Sequence, residues 1–201
     1  MAFIGTAGWS IPAIHAQAFA GTGTHLERYG AVLNAVEINS SFYRPHRQKT
    51  YARWAASVPE DFRFSVKLPR TITHHQRLMD FDDALARFQE EVSGLGPKLG
   101  VILVQLPPGL AYDPDSAAVF FETLGQQKLA AVACEPRHPS WFTPEADAAL
   151  ATWRIAQGCE RRGVVEDAPV FRLEFSCQRR KRGAGIVGII DFGAAVQPPV
   201  A

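Results

Sequence analysis

The sequence has no excess of charge of either sign, few cysteines and no long apolar run. Its 201 residues carry 21 Lys and Arg against 20 Asp and Glu, a net charge of +1, so no overall field draws the chain to nucleic acid or anionic lipid. Only a local basic patch would hold such a partner. The three cysteines, Cys134, Cys159 and Cys177, match neither a disulfide framework nor a zinc motif. We therefore expect a reducing, cytoplasmic setting.

Signals for export, membrane insertion and nucleotide binding are also missing. The first ten residues have no basic stretch ahead of an apolar one, and no segment approaches the ~18 apolar residues that a spanning helix needs. We therefore expect neither export nor a membrane partner. The segment Gly5-Thr6-Ala7-Gly8 lacks the glycine spacing of a dinucleotide- or phosphate-binding loop. No motif in the sequence indicates which cofactor, if any, the protein uses.

What is present is an alternation of short apolar runs with longer segments of helical spacing, which is typical of a parallel α/β sheet. Hydrophobic residues make up 47% of the chain, enough for one sizeable core. We predict strands at residues 3–7, 35–39, 62–68, 99–106, 130–135 and 153–157. We predict helices at residues 26–33, 49–58, 81–92, 115–127 and 144–152. Such units fit either a (β/α)8 barrel or an open doubly wound sheet.

The positions of polar residues in the strands favour the barrel. Because side chains alternate between the faces of a strand, Glu37, Lys67, Gln105 and Glu135 fall near four strand ends on what can be one shared face. In a closed barrel that face is the interior, and active sites lie at its C-terminal rim. An open sheet covers both faces with helices and would leave these charges poorly solvated. We therefore predict an α/β fold of the (β/α)8 TIM-barrel type.

Acids, bases and cations at or just after these strand ends form a candidate active site. The residues assigned catalytic roles are Glu37, Lys67, His74, Glu135 and His138. The residues assigned to substrate binding are Trp9, Asn39, Tyr43, Gln105, Arg137 and Trp141. The alternative for the charged groups is a buried ion-pair network, and for the two tryptophans it is ordinary packing under the loops.

Three other groups of residues are assigned by their context. The carboxylates and histidines of the candidate site suit Mn, Mg or Zn, but none are spaced as a diagnostic ligand pair, so no metal is predicted. Cys134 falls on the strand face opposite Glu135 and is expected in the core. We expect His15, His25 and His46 to be surface or capping residues.

Five motifs in order carry a family resemblance: Gly5–Trp9, Glu37–Tyr43, Phe64–Arg70 with Ile72–His74, Gln105–Pro108 and Glu135–Trp141. Together they resemble the YecE-like family of bacterial and archaeal proteins, a domain of unknown function, over about residues 3–155. The resemblance implies a TIM-type barrel with distant likeness to sugar isomerases and to an apurinic endonuclease family. It supplies no reaction, and nucleic-acid binding follows from it only by analogy of fold.

Residues 156–201 depart from the family pattern. The segment 170–173 resembles an expected strand but lacks the His-Gly pair that follows it in the family, and residues 185–192 can form a last strand. The chain is also short for a barrel of ~250 residues. We therefore expect one domain over residues 1–201 whose seventh and eighth strands are incomplete or irregular.

The leading functional hypothesis is an enzyme that binds a small polar or anionic substrate, such as a phosphorylated sugar or a phosphodiester, at the barrel mouth. Lys67 and Arg137 would hold the anion, Glu37 and Glu135 would act as acid, base or metal ligands, and His74 or His138 would move protons. The alternative is a noncatalytic nucleic-acid-binding protein that uses the rim and the basic run Arg179–Arg182. A third possibility is an inactive remnant whose tail impairs folding.

Overall fold

The computed structural model describes residues 3–158 and two further short strands, and it has the predicted alternation of strands and helices. The strands are β1 (Gly5–Ala7), β2 (Ala35–Ile38), β3 (Arg63–Lys67), β4 (Leu99–Gln105), β5 (Ala131–Glu135), β6 (Ala156–Gly158), β7 (Arg172–Leu173) and β8 (Val187–Gly188). The helices are α1 (His25–Gly30), α2 (Gln48–Ala56), α3 (Asp82–Val92), α4 (Pro114–Gln126) and α5 (Pro144–Thr152). The predicted elements within residues 3–158 are thus confirmed to within a few residues at each end.

The strands form one sheet in the order β7-β6-β5-β4-β3-β2-β1-β8. Strands β1 to β7 pair in parallel, each with its neighbour in the chain. Strand β8 pairs antiparallel with β1, whereas a regular (β/α)8 barrel has eight parallel strands. Within the described strands the sheet is not closed. The α/β fold is confirmed, and closure of the predicted barrel is not seen in the described part.

The two faces of the sheet are covered differently. On one face, alternate residues such as Phe64, Val66, Ile102 and Val104 belong to the large core that also includes side chains of the covering helices. Cys134 lies in this core, as predicted, and burial raises the pKa of its thiol. The other face, here called the inner face, has a smaller apolar cluster of buried residues, formed by Ala35, Val101, Leu103 and Ala133.

Several helices begin at residues whose side chains cap free backbone N–H groups. Thr24 and Glu27 form a capping box at α1, and the Asp113 and Thr143 side chains accept hydrogen bonds from backbone N–H groups of α4 and α5. Within the described ranges, no helix has both the length and the apolar character to cross a membrane.

Candidate functional site

The inner face carries four buried polar side chains at the C-terminal ends of β2 to β5. Glu37, Lys67, Gln105 and Glu135 expose only 6 to 8% of their surface. The strand register fixes their neighbours, since Glu37 pairs with Ser65 of β3 and Gln105 pairs with Glu135. The structure therefore brings together the four strand-end residues that the sequence placed on one face.

Glu37 is a weaker acid than an exposed glutamate because its carboxyl is buried. Desolvation is the main cause, and it raises the pKa of the carboxyl from 4.5 to about 7. Attraction to Lys67 lowers the pKa, and repulsion from Glu135 raises it by a smaller amount. The carboxyl of Glu37 therefore exchanges its proton near neutral pH. This is the range in which a general acid or base works best.

Glu135 is held in place by two neighbours. Its Oε1 accepts a hydrogen bond from Nε2 of Gln105 at 2.8 Å and one from the guanidinium of Arg137 at 3.2 Å. Gln105 comes from the adjacent strand and Arg137 from the turn two residues beyond Glu135. The carboxylate of Glu135 is thus fixed in orientation, with a cation beside it.

Lys67 and His74 pack on the same aromatic ring. The ammonium nitrogen of Lys67 lies 4.6 Å from the ring centroid of Phe42, a cation–π contact, and the His74 ring lies 5.0 Å from that centroid in an edge-on arrangement. Phe42 is itself only 8% exposed. One buried ring therefore sets the positions of two of the predicted catalytic residues.

His74 lies on an irregular segment that follows β3. Residues Thr71–His75 form one wide π-helical turn, a feature often found at functional sites, and the hydroxyl of Thr73 is hydrogen-bonded to Nδ1 of His74 at 2.8 Å. Burial lowers the pKa of His74, and so does electrostatic repulsion from four basic neighbours, namely Lys67, Arg137, His75 and Arg70. The imidazole of His74 is therefore neutral at pH 7.

The chain immediately after this turn is strained. Arg77, Leu78 and Asp80 have φ values of 55°, 66° and 48°, in the left-handed region that non-glycine residues rarely occupy. Leu78 is buried, and the guanidinium of Arg77 donates to the carbonyl of Gly109 at 3.0 Å. These contacts hold the strained segment against the loop that follows β4.

A buried hydroxyl joins the ends of β2 and β3. Oγ of Ser41 lies 2.8 Å from the carbonyl oxygen of Ile38 and 2.6 Å from that of Lys67. Ser41 is 2% exposed, so water does not compete for these bonds. The backbone next to Glu37 is thereby tied to the backbone of Lys67.

The other predicted site residues have different surroundings. His138 caps the 3-10 turn Pro139–Phe142, because its Nδ1 accepts a hydrogen bond from the backbone N–H of Ser140 at 3.2 Å. Tyr43 is 66% exposed and packs edge-on against Phe42. Asn39 directly follows β2, and its buried Oδ1 has no hydrogen-bond partner.

The two tryptophans are placed by packing. Trp141 is 1% exposed, donates from Nε1 to the carbonyl of Leu110 at 2.9 Å and belongs to the large core. Trp9 is half-buried and meets Trp54 of α2 edge-on, with 5.0 Å between ring centroids. In both cases the contacts are those of the packing alternative that the sequence left open.

His46 differs from its predicted surface or capping role. Its Nε2 lies 2.8 Å from Oγ of Ser40, and its ring packs edge-on against Tyr51 and Trp54. Burial and the nearby charge of Arg44 lower its pKa. Tyr51 and Trp54 lie on the following helix, α2, and the local sequence alone did not show that the His46 ring packs back against them.

Other side chains that shape the site carried no distinctive signal in the sequence. Phe42 and Ser41 are ordinary core and turn residues by composition, and Ser65 is one small residue in an apolar strand. The Oγ of Ser65 is fully buried, makes no hydrogen bond and lies beside Glu37 in the strand register. Strand alternation alone was able to indicate Ser65 as an inner-face residue.

Two further questions from the sequence concern a metal ion and nucleic acid as ligands. Within residues 3–158 no group of three or more His, Cys, Asp or Glu side chains is arranged to hold a metal ion. The basic run Arg179–Arg182, which carried the nucleic-acid alternative, lies outside the described residues.

Comparisons with known proteins agree with the motif pattern. A family described as "Protein of unknown function DUF72" matches residues 3–170. UPF0759 protein YecE of Escherichia coli (strain K12) is 29% identical over 150 residues, which cover 73% of this chain and 54% of that protein. UPF0759 protein YunF of Bacillus subtilis (strain 168) is 29% identical over 150 residues, which cover 72% of this chain and 53% of that protein. The chain spans about half the length of these curated relatives.

Solved structures show the same fold. A crystal structure of a DUF72 family protein from Thermotoga maritima MSB8 has a TM-score of 0.63 and 23% identity, with 79% of this chain and 64% of that chain covered. A DUF72 family protein from Enterococcus faecalis V583 has a TM-score of 0.64 and 21% identity, with 79% and 60% covered. At these identities the likeness concerns the fold alone.

Proposed function

The chain belongs to the family described as "Protein of unknown function DUF72", and from its own residues we propose that it is an enzyme that moves a proton on a small polar or anionic substrate. The observation that carries the proposal is a buried carboxyl, Glu37, beside a buried ammonium, Lys67, at the C-terminal ends of neighbouring parallel strands. In α/β proteins ligands bind at this end of the sheet.

Glu37 is the residue proposed to transfer the proton. Its raised pKa gives it both protonation states near neutrality, so it can act as a base in one step and as an acid in the next. Lys67 supplies a cation that stabilises negative charge as it develops on the substrate. Attraction to Lys67 lowers the pKa of Glu37, but the effect of burial is larger and opposite.

The neighbouring groups support binding of the substrate. Arg137, oriented by its bond to Glu135, can hold an anionic group, and the buried Oγ of Ser65 and Oδ1 of Asn39 can bond to substrate hydroxyls. His74 and His138 are proposed as proton shuttles. Tyr43, the most exposed aromatic of the set, can cover a bound molecule.

We also propose that the sheet is the larger part of a (β/α)8 barrel, in which the inner face becomes the barrel interior. Strands β1 to β6 follow each other in parallel, and β7 and β8 fall within the two tail segments where strands were expected. Small side chains such as Ala35 and Ala133 on the inner face suit the limited space inside a barrel.

The proposal is tested by a thermal-shift screen of the full chain against sugar phosphates, sugar acids, divalent metals and short duplex DNA. A ligand that binds only the folded state raises the melting temperature. We expect a small polar or anionic compound to do so, and the shift to be lost in Glu37→Gln and Lys67→Ala but kept in Glu122→Gln, an exposed carboxyl of α4. Stabilisation by DNA alone, or shifts unchanged in both site variants, would refute the assignment.

A further inference from the structure

Lys67, His74 and Arg137 come together at the candidate site from three parts of the chain. Lys67 ends β3, His74 lies in the turn after β3, and Arg137 follows β5. Lys67 and His74 both pack against the ring of Phe42, and the guanidinium of Arg137 forms an ion pair with Glu135 on the inner face. We propose that these three side chains form a binding site for the dianionic phosphate of a phosphate monoester, and that binding places a proton on His74. This inference rests on the proposed function and names the substrate class.

The groups that shift the pKa of His74 electrostatically are all basic residues. They are Lys67 from β3, Arg137 from the turn after β5, and Arg70 and His75 from its own segment, while the carboxyl of Glu135 is bonded to Arg137. In this surrounding the imidazole is neutral, because a further positive charge would be repelled. A dianion hydrogen-bonded to the imidazole opposes this repulsion and favours the protonated form of His74, which then becomes a third cationic partner.

The number and direction of the donors favour phosphate over carboxylate. An ammonium, an imidazole N–H and a guanidinium that come from three segments suit the three terminal oxygens of a phosphate monoester, whereas a carboxylate offers two oxygens in one plane. The bond of Thr73 to Nδ1 of His74 fixes one side of the imidazole ring, so Nε2 is the ring atom left to meet a ligand.

The phosphate also has to bind beside Glu37 and Glu135. Glu135 is paired with Arg137 and Gln105, and burial raises the pKa of Glu37 to about 7. A dianion next to Glu37 favours its protonated form further. Phosphate binding therefore leaves the acid form of Glu37 next to the rest of the substrate, where it can donate its proton.

The test is an NMR pH titration of the histidine side chains of the full chain, with and without methyl phosphate. We expect the pKa of His74 to rise by about one unit or more when methyl phosphate binds, as an opposite charge at close range does. The resonances of His74 are identified from their loss in His74→Asn, and His25, exposed at the start of α1, is the reference that stays unchanged. The titration itself is read on the wild-type protein, and His74→Asn serves only to assign the resonance.

Affinity measurements complete the test. Methyl phosphate is expected to bind roughly ten-fold or more tightly than dimethyl phosphate, which has a single charge, and Lys67→Ala is expected to remove this preference. Equal binding of the two esters, or binding that leaves the His74 titration unchanged, would overturn the inference. If another class of anion or a neutral sugar binds in a Glu37-dependent way and methyl phosphate does not, the phosphate site is refuted while the proposed proton transfer stands.

Discussion

Replacing Glu37 with glutamine is expected to remove a pH-dependent loss of stability. In the folded chain the pKa of Glu37 is raised from 4.5 to about 7, so between these values the folded state holds a proton that the unfolded state has released. The free energy of unfolding of the wild-type protein therefore falls as pH rises through this window and does not recover above it. Glutamine has nearly the same shape and cannot ionise.

The size of the effect follows from the pKa. At 1.36 kcal/mol for each pH unit between the two pKa values, ionising Glu37 in the folded state costs about 3 kcal/mol by pH 8, most of it developed between pH 5 and 7.5. Only 6% of Glu37 is exposed, so solvent screens little of this. We expect the difference in unfolding free energy between Glu37→Gln and the wild type to grow with pH by this amount, in favour of the variant.

Urea unfolding between pH 5 and 8.5 measures this difference. The part of the difference in unfolding free energy that does not change with pH reports the exchange of a carboxylic acid for an amide. The part that changes with pH reports the titration of Glu37. Glu122→Gln on the exposed side of α4 is the matched control, because it makes the same chemical exchange away from the candidate site. A difference that stays flat for Glu37→Gln, or that moves in favour of the wild type at high pH, would refute the reasoning.

Two further predictions concern the scaffold. Gly5→Ala should destabilise the fold by about 2 kcal/mol or more, because the added Cβ would overlap the carbonyl oxygen of Ala35 on β2. The control is Gly109→Ala, where no heavy atom lies within 4 Å of the added Cβ. Equal urea midpoints for the two variants would contradict the prediction. Trp141→Phe should cost about 1–3 kcal/mol, since it leaves the buried carbonyl of Leu110 without its donor and removes core volume. An unchanged unfolding curve for this variant would show that the bond contributes nothing.

The inner-face residues were predictable because strand geometry is simple. Once the strands around Glu37, Lys67, Gln105 and Glu135 were located by their apolar neighbours, the two-residue alternation placed the four polar side chains on one face. Parallel pairing then brought the strand ends to the same edge of the sheet. No information beyond local pattern was needed for this part.

The loops were less predictable because their side chains are placed by distant contacts. Nothing near Trp141 in the sequence indicates that its ring is buried and hydrogen-bonded to the carbonyl of Leu110, which lies 31 residues away. The π-helical turn that carries His74 depends on Phe42, from the preceding loop, as its packing partner. The predicted seventh and eighth strands fall in residues 156–201, where the sequence departs from the family pattern, so the pattern gave little basis for predicting how the sheet ends.

The hydroxyl of Ser41 has a consequence for the chemistry proposed at Glu37 and Lys67. The single hydroxyl hydrogen of Ser41 lies within reach of the backbone carbonyls of both Ile38 and Lys67, and β2 and β3 are also joined by backbone pairing. The separation of the two strand ends is therefore set by neutral contacts and not by attraction between the charged side chains, which is the kind of preorganisation that favours a reaction in which Glu37 changes charge. A framework of this kind keeps its geometry in both protonation states of the acid it carries.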